Sequence, residues 1–216
     1  MGEGLALRDV RIDGMPRPVR LTVAIGLVGG VVLPDASLAC RFSDAVVGVA
    51  EPAAGTITVD GRPRARPGSA EADGTRPLIG LVPADGGLLP HLTLRENILF
   101  GRLPDGPNAS RRLAHDADRA AVRAGLLMGL DRHPHRATPG QRQQTGFARV
   151  LFRGRSVAVV EDRVGFPRWA GRLDATARAG VALLVVTDDR HRLDGVVPGP
   201  DIVDLGASRG DPTVVS

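Results

Sequence analysis

The sequence has no lysine and no tyrosine, and only one cysteine, one tryptophan and five phenylalanines. All 28 cationic side chains are therefore arginine. A lone cysteine, Cys40, excludes an internal disulfide and fits a reducing cytosol. With so few aromatics the core must be built from Val, Leu, Ala and Ile. Long hydrophobic runs are also missing. The longest weakly polar stretch, Val23 to Pro34, is too short and too glycine-rich to span a bilayer. Residues 1–20 mix charges with proline, unlike a secretory leader. A soluble or membrane-peripheral cytosolic chain is expected.

What is present fits one domain with a full core. The chain has 216 residues, 43% of them hydrophobic. The valine-rich runs Val157–Val160 and Val181–Val186 suit strands buried on both faces of a parallel sheet. The formal net charge is only +4, but it is unevenly spread: residues 102–155 hold 11 Arg against 4 Asp and no Glu. Such a stretch can face phosphates, anionic lipid or an acidic partner. A solvated arginine-rich face is the plainer reading, and nucleic acid is not expected.

Alternation of apolar and polar residues predicts half-buried strands over Leu5–Asp13 and Val19–Ala24. Gly26, Gly29 and Gly30 read as turn positions ahead of the apolar Val31–Leu33. A helix over Ala36–Val49 follows, then a strand over Gly55–Gly61 ending in the Asp60-Gly61 turn signal. Residues 62–76, rich in Pro, Gly, Arg and Ala, read as a loop. Pro77–Pro83 predicts another strand, and Thr93 with Glu96 forms a capping box. Helices are predicted over Asp116–Leu130, Gln141–Arg153 and Trp169–Ala179, with strands at Val157–Val160 and Val181–Thr187. Strands alternating with helices indicate a parallel α/β sheet. The glycines Gly26, Gly29 and Gly30 do not make a dinucleotide site, because their spacing is not GxGxxG and no helix follows them directly.

Four stretches, in order, carry a resemblance: GTITVDG at 55–61, LVPADGGLLPHLTLRENILFG at 81–101, ATPGQRQQTGFARVLFR at 137–153, and VAVVED at 157–162 with LLVVTDD at 183–189. Together they resemble the nucleotide-binding subunit of ATP-binding cassette (ABC) transporters. The resemblance implies an ABC-type, P-loop NTPase-like α/β fold. Its parts would be a parallel sheet, an N-terminal antiparallel β part and an inserted helical subdomain near 92–144, all within one domain over 1–216.

Measured against that family, every position that would handle ATP departs from the pattern. The phosphate loop should read GxxGxGKST, and this chain reads LPDASLACR over 33–41. Glycines are needed there so that backbone N–H groups can approach phosphate without a Cβ in the way. Leu33, Ala36 and Leu38 occupy those positions, and Asp35 adds a negative charge. Ala39 stands for the lysine, and Cys40 or Arg41 for the magnesium-binding hydroxyl. The Q-loop glutamine is Ala84. Glu161 stands at the magnesium-binding Asp and Asp162 at the general-base Glu, each reach wrong by one methylene. The H-loop histidine is Asp188, and residues 163–169 show no D-loop pattern. No aromatic near Ile12–Pro16 would stack on adenine. The signature, which the family uses in trans on the opposite subunit's ATP, survives best. Thr138 keeps a hydroxyl and Gly140 a free N–H, next to Gln141, whereas Pro139 has no N–H to donate.

The resemblance thus implies a degenerate cassette subunit of a membrane transporter, with no ATP or magnesium expected in its own site. It would sit on the inner face of the cell membrane. Its partners would be a permease, docked near Ala84–Gly101, and a second, active ATPase subunit. Two other readings stay open: a stand-alone regulatory module using the arginine-rich face, and a working ATPase with divergent motifs.

Overall fold

The computed structural model describes residues 3–64, 78–102, 108–163 and 180–206. Two sheets organise them. In the first, β1 (Glu3–Arg11) lies between β2 (Val19–Ala24) and β4 (Ala54–Val59), with the two-residue β5 (Arg62–Pro63) outside β4, all antiparallel. In β2, buried Val19, Leu21 and Val23 alternate with polar residues, as its sequence period requires. The second sheet runs β6 (Ile79–Val82), β7 (Val157–Glu161), β8 (Ala182–Thr187), β3 (Val28–Val32), β9 (Ile202–Asp204), and every pair is parallel. All residues of β3, β7 and β8 are buried, which explains why their sequences are continuous apolar runs rather than alternating ones.

Helix α1 (Ala36–Val47) fills the space between the sheets. Its buried stripe of Leu38, Phe42, Ala45 and Val46 joins one core with Leu5 and Leu7 of β1 and with Val159 and Leu184 of the parallel sheet. Gly48 ends the helix in a left-handed conformation that a side chain would resist. A second core covers the other residues of the parallel sheet. There α2 (Leu94–Leu99), α3 (Ala109–Arg123) and α4 (Pro139–Phe152) bury Ile98, Ala121 and Phe147 beside Val160 and Val185. Between β6 and β7 the described residues form helices and turns but no strand.

The sequence expectations needed correction in four places, the first being that residues 62–76, read as a loop, begin with β5 at Arg62–Pro63, paired to β4. Gly29 and Gly30 are not turn residues; they lie inside β3. A Cβ on Gly29 would stand 2.6 Å from Val23 Cγ2, and one on Gly30 2.6 Å from Leu193 Cδ1. Their role is close packing on both faces of a central strand. Helix α3 starts earlier and stops earlier than its apolar spacing suggested, because Gly125 breaks it while the apolar pattern runs on through Leu126 to Leu130. Strand β9 was not foreseen, being three residues with no alternation to read. The helix expected at Trp169–Ala179 lies outside the described residues, as does nearly all of the segment compared with the D-loop.

Candidate functional site

The turn from β3 into α1 carries residues 33–41. Leu33 is wholly buried and its N–H donates to the Thr187 carbonyl at 2.8 Å, which extends the sheet by one residue. Asp35 is then the N-cap: Oδ1 accepts from the Leu38 N–H at 2.8 Å, and its carbonyl accepts from the Ala39 N–H at 3.0 Å. A negative carboxylate at a helix N-terminus is the favourable partner of the helix dipole there. One backbone donor at this start of α1, the Leu38 N–H, is thus already turned to a carboxylate of the chain's own. Leu38 and Ala39 point into the core, and Ala36 offers its carbonyl to Arg163 at 2.8 Å. Arg41 lies exposed and donates to the Asp13 carbonyl at 3.2 Å, away from the turn.

The ends of β7 and β8 face the same edge of the sheet. Glu161 closes β7, only 5% exposed, and its Oε1 meets no hydrogen-bond donor. Its carbonyl accepts from Gln143 Nε2 of α4 at 2.6 Å. The fully buried Asp162 offers its carbonyl to Thr187 Oγ1 at 3.1 Å and to Arg192 at 2.9 Å. Arg192 lies 4.0 Å from Asp188 and 3.5 Å from Asp189, so a guanidinium neutralises the aspartate at the H-loop position. Cys40 is half-buried near this group. Burial holds its thiol above the ordinary range, the charges of Glu161 and then Asp44 push it further up, and Arg163 opposes them.

Ala84 lies in the turn after β6 at the same edge, half-buried, and the Gly86 N–H donates to the Pro83 carbonyl at 2.8 Å. That turn is pressed against α4. A Cβ on Gly86 would overlap the Arg142 carbonyl, and one on Gly146 would stand 2.6 Å from the Gly86 carbonyl oxygen. Arg149 fastens the contact, donating to Gly87 at 2.9 Å and Gly86 at 3.2 Å. Burial lowers the Arg149 pKa, and the neighbouring Arg153 charge adds to this while Asp85 opposes it. At the head of α4, Thr138 and Gln141 close a capping box, with Gln141 N–H to Thr138 Oγ1 at 3.2 Å and Thr138 N–H to Gln141 Oε1 at 3.0 Å. Pro139 takes the first helical position, where its missing N–H costs the helix nothing. A Cβ on Gly140 would meet nothing within 4 Å.

Residues 33–41, 84, 161–162 and 188 therefore gather along the carboxyl ends of the parallel strands, while 138–141 open a separate helix tied to that edge through Gln143. Sequence reasoning missed Gln143, Arg163 and Arg192. Only Arg192 left a trace, four residues after Asp188 and able to fold back on it.

The family pattern described as ABC transporter matches residues 42–162. The chain belongs to the ABC transporter family. The match begins at Phe42, directly after the altered loop. Among related proteins, the Fe(3+) ions import ATP-binding protein FbpC of Pseudomonas fluorescens is 29% identical over 192 residues, covering 82% of this chain and 51% of its own length. The phosphonates import ATP-binding protein PhnC of Chromohalobacter salexigens is 30% identical, over 69% of this chain and 58% of its own. The taurine import ATP-binding protein TauB of Mesorhizobium japonicum is 30% identical, over 73% and 59%. The chain spans about half the length of the FbpC relatives it matches. The dimeric structure of MJ0796, a bacterial ABC transporter cassette, superposes with a TM-score of 0.72 at 19% identity and covers 94% of each chain. The fold is thus that of an ABC cassette, with its parallel sheet, helices and N-terminal antiparallel sheet.

At the positions that the family pattern assigns to nucleotide and magnesium, the residues present differ in charge and size from that pattern. The Asp35 carboxylate holds the Leu38 N–H that a phosphate oxygen would need, and repels a phosphate besides. Ala39 is 4% exposed and brings no charge. A neutral thiol at Cys40 is a poor ligand for a hard cation that prefers oxygen. No chemical step is therefore assigned to this edge of the sheet.

Proposed function

We propose that this chain is a non-hydrolysing cassette subunit of a membrane transporter, working as structural or allosteric partner of an active ATPase subunit. The observation that carries this reading is the Asp35 carboxylate seated at the N-terminus of α1, where the family places phosphate. Supporting it, the lysine, glutamine and histidine positions are Ala39, Ala84 and Asp188. Losing one such charge-stabilising donor costs on the order of a hundred- to a thousand-fold in rate. The head of α4 supports the partner role, with Gly140 uncovered and Thr138 keeping a hydroxyl beside it. The helical part near 92–144 would be the subdomain that carries this surface to the opposite subunit. Among the described residues no helix is long and apolar enough to cross a membrane, so attachment at the inner face would go through a permease. The relatives' names point to iron, phosphonates and taurine, and no single cargo follows for this chain.

Isothermal titration of the isolated chain with ATP and magnesium should show no binding at micromolar concentrations and no phosphate release. Micromolar binding with turnover overturns the proposal. In a complex with a permease and an intact cassette, Gly140→Asp should depress ATPase activity while leaving the isolated chain folded. Equal activity of the two complexes removes the in-trans role.

A further inference from the structure

A cleft of about 230 Å³ opens where the end of β1 meets α1 and the segment between α1 and β4. Ile12 is its buried lining residue, and the exposed Ala50 and Ala53 stand at its rim. The chain leaving the helix folds back on this side, where the Val49 and Ala50 N–H groups donate to the Asp44 carbonyl at 2.9 and 3.2 Å. Four charged side chains share the lining: Asp13, Arg41, Asp44 and Glu51. Glu51 is already paired, with Arg64 at 3.0 Å. Arg41 and Asp44 stand three residues apart on α1, the spacing at which helical ion pairs form, yet they make none. Arg41 instead donates one N–H to the Asp13 carbonyl at 3.2 Å, and its guanidinium has no carboxylate partner among the described residues. Asp44 is half-buried, and burial alone pushes its carboxyl up, with no cation beside it to pull it down.

A cation and an anion that share a cleft without pairing are matched by a ligand carrying both opposite charges. A simple amine would meet Asp44 and be repelled by Arg41, and a simple carboxylate would meet the reverse. The apolar part of the lining asks for an apolar group between them. Drug-sized ligands occupy pockets of roughly 300–1,000 Å³, so a cleft below that range takes a smaller molecule. We infer that this cleft binds a small free amino acid with an apolar side chain, its carboxylate on Arg41, its ammonium on Asp44 and its side chain against Ile12 and Ala53. The inference goes beyond the subunit role proposed above and does not depend on it. An occupant would tie α1 to the segment entering β4, a small-molecule input separate from the turn at Asp35.

The test is isothermal titration of the isolated full chain with L-valine and L-leucine, and with N-acetyl-L-valine and L-valinamide, which each lack one charge. The free amino acids should bind at millimolar concentration or below. Each capped form should bind about tenfold or more weakly, having lost one charge-assisted hydrogen bond. Asp44→Asn and Arg41→Gln should each weaken valine binding by a similar factor while keeping the wild-type melting temperature. Should Asp44→Asn fold poorly, Arg41→Gln, which alters an exposed side chain, decides the matter by itself. Absence of binding by both amino acids, equal binding of free and capped valine, or unchanged binding in a folded variant overturns the inference. So does displacement of valine by adenosine, which would make the cleft a nucleoside site. The titration involves neither triphosphate nor partner subunit, so it can fail while the pseudo-ATPase reading stands, and the reverse.

Discussion

Helices α1 and α4 start with the same device and reach opposite ends. Each opens with a side chain that accepts from an amide three residues on: Asp35 from Leu38 at 2.8 Å, and Thr138 from Gln141 at 3.2 Å. The caps differ in charge. Asp35 brings a full negative charge against the positive end of α1, so that helix start has no further call for an anion. Thr138 satisfies one N–H and leaves the dipole of α4 uncompensated, in front of an uncovered Gly140. On the proposed reading, one carboxylate at an N-cap would retire a phosphate site while the helix, the strand before it and the fold stay in place.

The strongest attempt to break this contrast is to rebuild the phosphate loop with Leu38→Gly and Ala39→Lys. Both side chains are buried, so the double variant should lose about 3–5 kcal/mol of stability from the cavity and the added glycine. It should still release no phosphate from ATP, since Ala84 and Asp188 remain. A malachite-green assay beside a denaturant titration checks both, and turnover would contradict the account of the site. Smaller effects compare the caps themselves. Asp35→Ala should cost about 1–2 kcal/mol, part of it screened by salt, and Thr138→Ala about 1 kcal/mol or less without salt dependence. A larger, salt-sensitive loss at Thr138 would reverse the comparison.

Cys40 sharpens it chemically. With its thiol held neutral by burial and by Glu161, alkylation by iodoacetamide at mildly alkaline pH should run several-fold slower than for a free thiol. A rate equal to that of glutathione would mean that the thiol is not shielded. The smallest effect belongs to a third cap. Glu96 is held below its ordinary 4.5 by hydrogen bonds from the Thr93 backbone and side chain. Its contribution is complete above that ordinary value and fades as the pH drops through the lower folded one. Glu96→Gln should therefore narrow the stability gap to wild type in acid, read from melting temperatures across that range. A gap that widens in acid would show the wrong sign.

Much of this was legible in the sequence. The strands at β1, β2, β4, β6, β7 and β8, the burial of β7 and β8 and the capping box at Thr93 and Glu96 follow from period, apolar runs and short polar signals, whereas the box at Thr138 and Gln141 was not read. The departures from the family pattern at 33–41 were legible because missing glycines and a missing lysine are read one residue at a time. The Asp35 hydrogen bond was not foreseen, although Asp35 stood in plain view as an added negative charge. A cap depends on where the helix begins, and that is fixed by Leu38 and Ala39 sinking into the core. Arg163 and Arg192 were also missed, since their partners are backbone carbonyls brought near only by tertiary packing. Gly29 and Gly30 misled for a related reason: a glycine chosen for lack of bulk looks the same as one chosen for a turn.

One contact gives the molecule a mechanical character. The bend after β6 and the middle of α4 touch main chain to main chain at Gly86 and Gly146, with Arg149 bolting them together. A joint made of peptide groups has no long side chain to absorb slack. Force applied to that bend would pass directly into α4, which begins at Pro139 and Gly140, whether or not any fuel is burned at the carboxyl edge of the sheet.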